Sequence, residues 1–263
     1  MTKKILKVLV IGDTHDSPDI PDKSRFGWFA KHIRKSKPDI VVQIGDFVTL
    51  DSCTHYIRDD SYTAKIEKPI FMKDMESMDS AMEEFNYHLK DFKIKKYFTL
   101  GNHEKRMFRK EDSNPTFYGM CQKEFFGNCK KYDWQVIPYG KYLMLGGVGF
   151  IHAPINPMGK EYGGEASERQ VANKSKIDIV FGHSHRAQDN RVAKISPIPN
   201  DFTRIINVGC AMPHNHIESY AKHSLTGWTY QVCELKIWDN HIQEVNNISM
   251  ETLEREYGGK KSK

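Results

Sequence analysis

The stretch Ile179-Val180-Phe181-Gly182-His183-Ser184-His185-Arg186 decides how the rest of the chain is read. An apolar run ends in a glycine, and two histidines follow with one residue between them. Side chains alternate along an extended backbone, so His183 and His185 are expected to leave the strand end on the same side. Two neutral imidazoles converging on one point suit a metal ion. His-x-His also occurs on ordinary solvated strand ends, so the pair gains meaning only from comparable stretches elsewhere. Three other apolar runs end alike: Ile11-Gly12-Asp13-Thr14-His15, Ile44-Gly45-Asp46-Phe47 and Leu100-Gly101-Asn102-His103-Glu104. A further run, Val148-Gly149-Phe150-Ile151, closes on His152.

Working outward, residues 5–12 and 39–44 read as buried strands on either side of a helix over 25–36. That helix carries Phe26, Phe29, Ala30 and Ile33 at helical spacing and is ended by Lys37-Pro38. Such a βαβ unit places loops and ligands at the carboxyl ends of its strands. Residues 47–73 look irregular and are expected to form an insertion beside the site. A helix follows over 74–92, with Met78, Met82, Phe85 and Leu89 on one side, then a strand over 95–100 and helical segments through Lys110 and over 116–126. From Trp134 onward strands succeed one another at 134–138, 141–145 and 147–152. Next come a helix near 165–175, a strand at 177–182, and strands at 190–196, 203–208, 228–238 and 241–247. The last two are joined as a hairpin at Asp239-Asn240. A helix over 250–257 precedes the basic tail 258–263, which is expected to be flexible. This order implies two sheets packed face to face with helices outside. With no repeat or linker, residues 1–263 read as one domain.

The chain of 263 residues is long enough for a large packed core. No apolar run nears the roughly 20 residues of a membrane helix, so no membrane partner is expected. Lys7 interrupts the apolar start, which leads directly into Asp13 and His15; a core strand and a cytoplasmic protein are the better reading. The five cysteines are odd in number and lack CxxC spacing, which speaks against a disulfide framework and a thiolate zinc site. A net charge of +5 suits a nucleic acid or another polyanion, though an ordinary solvated surface explains it equally well.

Asp13, His15, Asp46, Asn102, His152, His183 and His185 together offer carboxylate, amide oxygen and imidazole. That mixture fits borderline to hard divalent ions such as manganese, iron or zinc. Seven ligands are too many for one tetrahedral ion, and one shared carboxylate would let them serve two. A two-metal centre activates water and polarises a phosphoryl oxygen.

GDTH (12–15), GDF (45–47), GNHE (101–104), His152 and GHSH (182–185), in this order, resemble the signature of the calcineurin-like metallophosphoesterases. That superfamily includes protein phosphatases, purple acid phosphatases, cyclic-nucleotide phosphodiesterases and manganese-dependent nucleases. The resemblance implies a four-layer αββα sandwich of two mixed β-sheets flanked by helices. It implies two divalent metal ions, manganese foremost, with iron, zinc or nickel as alternatives, and a bridging water or hydroxide. Asp13, His15 and His185 would hold the first ion, Asn102, His152 and His183 the second, with Asp46 bridging. His103 would steady the phosphate and protonate the leaving oxygen, and Glu104 would orient it as a carboxylate fixes a tautomer. Two departures bear on subfamily. The second block, GDFVT, lacks the second carboxylate of the frequent GDxxD form. No arginine directly precedes GNHE or follows GDF, which disfavours the protein Ser/Thr phosphatases.

The chain more closely resembles the compact stand-alone phosphoesterases of bacteria and bacteriophages than the nucleases of double-strand-break repair. Its expected substrate is a phosphodiester, in DNA, RNA or a nucleotide, and the chain is read as a phosphodiesterase or nuclease. The alternatives are a phosphomonoesterase acting on nucleotides, and a non-catalytic nucleic-acid-binding or assembly module. Candidate substrate contacts are His55 in the loop after Asp46, Arg106 just past His103, and His214 and His216 beyond Gly209-Cys210. For each the ordinary alternative is a solvated loop or helix face.

Overall fold

The computed structural model describes residues 5–54, 70–164, 166–198, 201–218, 221 and 227–259. Strands β1 (Leu6–Ile11), β2 (Ile40–Gln43), β3 (Lys95–Thr99) and β4 (Trp134–Ile137) lie parallel in one sheet. β10 (Gln231–Trp238) runs antiparallel beside β1, and β11 (His241–Ser249) beside β10, so the sheet order is β11-β10-β1-β2-β3-β4. The second sheet has the order β5-β6-β7-β9-β8, from β5 (Leu143–Leu145), β6 (Val148–Phe150), β7 (Ile179–Phe181), β8 (Ala187–Ala193) and β9 (Phe202–Val208). In it β6, β7 and β9 are parallel while both edge strands are antiparallel, so both sheets are mixed.

The layers follow from the two-residue period of the strands. On β1, Val8 and Val10 face the second sheet, where they meet Phe150, Val180, Ile206 and Val208. Leu9 and Ile11 face the opposite way, into a core shared with Phe26, Phe29 and Ile33 of α1 (Ser24–Ser36) and Met78, Met82 and Phe85 of α2 (Phe71–Leu89). On β7, Val180 joins the layer between the sheets while Ile179 and Phe181 pack on Val171 and Ala172 of α5 (Ser167–Lys174). A strand apolar on both faces can be stable only between two such layers. The result is the four-layer αββα sandwich of the sequence reading, with α3 (Asn102–Ser113), α4 (Met120–Lys131) and α6 (Met250–Tyr257) completing the helices.

Several boundaries differ from the expectation, each for a local reason. Within the stretch read as an insertion, Phe47, Val48 and Leu50 are buried, a short turn, Asp51–Cys53, follows, and α2 already begins at Phe71. The remainder of that loop, with His55, lies outside the described residues. α2 ends at Leu89 because Lys90 takes φ 46° and ψ −119°, which no helix continues. The segment expected from 116 becomes α4 from Met120, since Pro115 opens a separate turn and Gly119 adopts a left-handed φ of 82°. β8 begins three residues early, at Ala187, paired to the end of β9. Asp239 and Asn240 both take positive φ, 56° and 63°, the conformation that a two-residue hairpin needs. All five cysteines are free thiols. Among the described residues no helix is long and apolar enough to cross a membrane.

Candidate metal centre

β1, β2, β3, β6 and β7 all end at the same edge of the sandwich, and the turns that follow them carry the seven donors. Glycine precedes the donor in four of these turns because other groups crowd the chain there, the Gly209 carbonyl at Gly12 and the His152 ring at Gly45. A Cβ on Gly101 would collide with Asp46 Oδ1, and one on Gly182 with Asp13 Oδ1. Asp16, one residue beyond His15, is fully buried and accepts Lys23 Nζ (2.8 Å), Arg25 Nη2 (2.8 Å) and Ser77 Oγ (2.6 Å), which ties the first turn to α1 and α2.

The donor atoms fall into groups, each spanning no more than 4.8 Å: Asp13 with His15 and His185; Asp46 with His152 and His183; and Asp46 with His15 and His103. In the first, His15 Nε2 lies 3.0 Å from His185 Nε2, which is 3.1 Å from Asp13 Oδ2. In the second, Asn102 Oδ1 lies 2.9 Å from His152 Nε2 and 2.8 Å from His183 Nδ1, and Asp46 Oδ2 is 3.3 Å from His152 Nε2. Asp46 Oδ2 is also 3.9 Å from His15 Nε2, so one carboxylate oxygen faces both groups. Its other oxygen accepts the backbone N–H of His103 at 2.8 Å.

His183 and His185 differ from the expectation in one respect. β7 stops at Phe181, and both histidines take left-handed φ, 72° and 58°. The imidazoles therefore diverge, His185 into the first group and His183 into the second. His15 and Asp46 are left-handed as well, at 43° and 47°. Such conformations cost on the order of 1–3 kcal/mol each and persist where the surroundings over-determine them. Here Asn207 Nδ2 holds Ser184 Oγ at 2.7 Å and Glu168 Oε1 at 2.9 Å, while His183 N–H donates to Asp13 Oδ2 at 2.9 Å.

The arrangement fits cations. His152 Nδ1 donates to the Ile44 carbonyl at 3.1 Å, which uses the single proton of a neutral ring. Its Nε2 lone pair is then aimed at two oxygen acceptors, Asn102 Oδ1 and Asp46 Oδ2, a contact that only a proton or a metal ion makes favourable. Burial disfavours a charge on His152, yet Asp46 and Asp13 outweigh it and push the ring up to about 10. Asp46 is held well below the usual carboxylate range: burial opposes its charge, but His152 and His103 prevail. Burial, reinforced by His103 and His185, drives His15 well below its ordinary value, and burial with His152 lowers His183, so both offer lone pairs. Asp13 Oδ1 is buried with no hydrogen-bond partner among the described residues, which is costly unless a cation takes it up. Donors about 3 Å apart match neighbours around an ion with bonds of roughly 2.1 Å.

Glu104 does not orient His103. Its carboxylate accepts four backbone N–H groups, from Gly101 (2.7 Å), Asp46 (2.9 Å), Phe47 (2.9 Å) and Val48 (3.3 Å), and so shapes the turn that presents Asp46. Burial, then repulsion from Asp46, pushes Glu104 up to about 7. The His103 ring is oriented by a main-chain group instead, Nδ1–H donating to the Thr49 carbonyl at 2.7 Å. Arg106 Nη1 donates to the same carbonyl at 2.9 Å. His216 is paired with Glu218 (3.3 Å), and His214 packs edge-on against Tyr230 with ring centres 5.7 Å apart; neither joins the donor groups. Thr49, and Trp228 with its ring centre 4.5 Å from that of His185, were not picked out from sequence, because a carbonyl contact and a distant aromatic neighbour leave no motif.

A search of curated protein sequences finds no significant match. Among solved structures the chain is similar to vacuolar protein sorting 29 of Cryptosporidium parvum, at 14% identity and TM-score 0.41 over 93% of this chain and 98% of that one. It is also similar to the zinc-complexed Vps29 of Entamoeba histolytica, at 11% identity and TM-score 0.35 over 93% and 99%. Likeness at this level says nothing about substrate. The family model of the calcineurin-like phosphoesterases, however, matches residues 6–187, from the first core strand past the last of the gathered histidines. On that match, which covers well over half of its length, the chain belongs to the calcineurin-like phosphoesterase family.

Proposed function

We propose that the chain is a phosphoester hydrolase working with two divalent ions, manganese foremost, and that its substrate is a phosphodiester in a nucleotide or nucleic acid. Asp13, His15 and His185 would hold one ion, Asn102, His152 and His183 the other, and Asp46 Oδ2 would serve both. The observation that carries this reading is His152, whose lone pair meets two oxygen acceptors across 2.9 and 3.3 Å. When bound, such a pair supplies positive charge against the charge developing in phosphoryl transfer and a nucleophile from water near neutral pH.

The chain's own residues contribute position and proton transfer. Glu104 keeps the Asp46 turn in shape, and Thr49 fixes the His103 ring through Nδ1–H, so that a second proton, taken from water onto Nε2, would be the one passed to the leaving oxygen. The diester preference is supported by the missing arginines after GDF and before GNHE and by the net charge of +5.

The test is a comparison of a bis-aryl phosphodiester, an aryl phosphomonoester and single-stranded DNA with added manganese, nickel or zinc. Faster diester turnover that needs metal is expected. Faster monoester hydrolysis with DNA untouched rejects the diester substrate, and no hydrolysis with any metal rejects the enzyme.

A further inference from the structure

Arg106 follows His103 by three residues on α3, so both side chains rise from one face of the helix. Its Nη1 donates to the Thr49 carbonyl at 2.9 Å, and its Nη2 lies 2.9 Å from His103 Nε2. Asp51, in the turn after the Asp46 loop, adds an ion pair to Nη1 at 3.7 Å. A guanidinium has donors only, so His103 Nε2 must be the acceptor of this contact. The ring proton then sits on Nδ1, where the Thr49 carbonyl takes it at 2.7 Å. Both ends of the His103 ring are therefore occupied, and the end that faces Asp46 Oδ2, 3.9 Å away, is covered by Arg106.

This fork is permanently charged and stands beside a centre built to take up cations. Two divalent ions there would repel it, and Asp51, nearly half exposed and 3.7 Å away, offsets that only in part. An oxyanion between the fork and the ions removes the conflict. It also offers Nη2 a charged acceptor in place of a neutral ring nitrogen, and charge-assisted bonds are the stronger ones.

Resting on the hydrolase reading above, we propose that Arg106 is the residue that binds the phosphoryl oxygen, held in place by Thr49 and by Asp51 as a positioning residue. Its Nη2 N–H passes from His103 Nε2 to that oxygen, which frees the ring nitrogen. The substrate class that follows is the anionic phosphoesters, diesters and monoesters alike. Neutral triesters, which carry no charged oxygen to draw Arg106 away, are excluded.

The experiment is calorimetric titration of inorganic phosphate into the manganese-loaded protein, for wild type, R106Q, R106K and D51N, with metal content measured on the same samples. Loss of one charge-assisted contact predicts roughly 10–100-fold weaker phosphate binding in R106Q. R106K should recover part of it, and D51N should weaken binding a few-fold, about what a partly exposed ion pair contributes. Metal content should not change. In turnover of an aryl diester, D51N should raise KM with kcat nearly constant, while a neutral aryl triester should not be cleaved by any form. Unchanged phosphate affinity in R106Q and R106K at full metal content, or triester cleavage at the diester rate, overturns the role of Arg106 and leaves the hydrolase reading standing. Wild-type protein that takes up no manganese overturns both.

Discussion

Glu104 Oε2 accepts the backbone N–H of Asp46 at 2.9 Å, so the carboxylate next to His103 in sequence works in space on the turn that presents a candidate metal ligand. Three further N–H groups, of Gly101, Phe47 and Val48, complete its coordination. The start of α3 and the turn after β2 are thereby one unit.

Glu104→Gln replaces an acceptor oxygen by a donor that meets backbone N–H groups. The variant should lose about 2–4 kcal/mol of stability, the range for breaking a buried network. Its manganese content should fall with it, read by urea unfolding and elemental analysis. A variant with full metal content and only a slower rate would restore Glu104 as the partner of His103.

His103→Ala removes the ring that faces the leaving group while keeping all seven proposed ligands in the chain. Diester turnover should drop by roughly 10²–10⁴-fold, as for loss of a general acid, while both ions stay bound. A non-catalytic binding module would show no change in any property of this variant except stability.

Far from the centre, Glu234 accepts His32 Nε2 at 2.9 Å, and that bond is the main reason its carboxyl falls to about 2. A depressed carboxyl stabilises the fold above its unfolded value, near 4.5, and loses the effect as pH falls through about 2. Glu234→Gln should therefore cost about 1–2 kcal/mol at pH 7, allowing for solvent around the half-buried pair. The gap from wild type should narrow between about pH 4.5 and pH 2 in urea unfolding curves. A gap independent of pH would assign the effect to packing.

Much of the centre is legible in the chain because its donors sit in short blocks at strand ends, and the two-residue period of β1 and β7 exposes the layers. What stays hidden is work done by the backbone. The Thr49 carbonyl holds both His103 and Arg106, and any residue type supplies a carbonyl. The target of Glu104 is a set of N–H groups, which likewise have no sequence identity. The divergence of His183 and His185 depends on left-handed φ values that Asn207 and Glu168 stabilise from other elements, so alternation along a strand could not foretell it. The burial of Phe47, Val48 and Leu50 is hidden for a similar reason: the three show no periodic pattern, yet they fill the core.

The most direct test of the shared-carboxylate centre is a manganese titration of wild type and Asp46→Asn by calorimetry, with the unfolding midpoint followed in parallel. Wild type is predicted to bind two ions per chain and to gain about 2.7 kcal/mol of stability per ion at a hundred times its dissociation constant. Asp46→Asn should lose at least one ion and most of that gain. Equal stoichiometry and equal stabilisation in the two proteins would contradict the account.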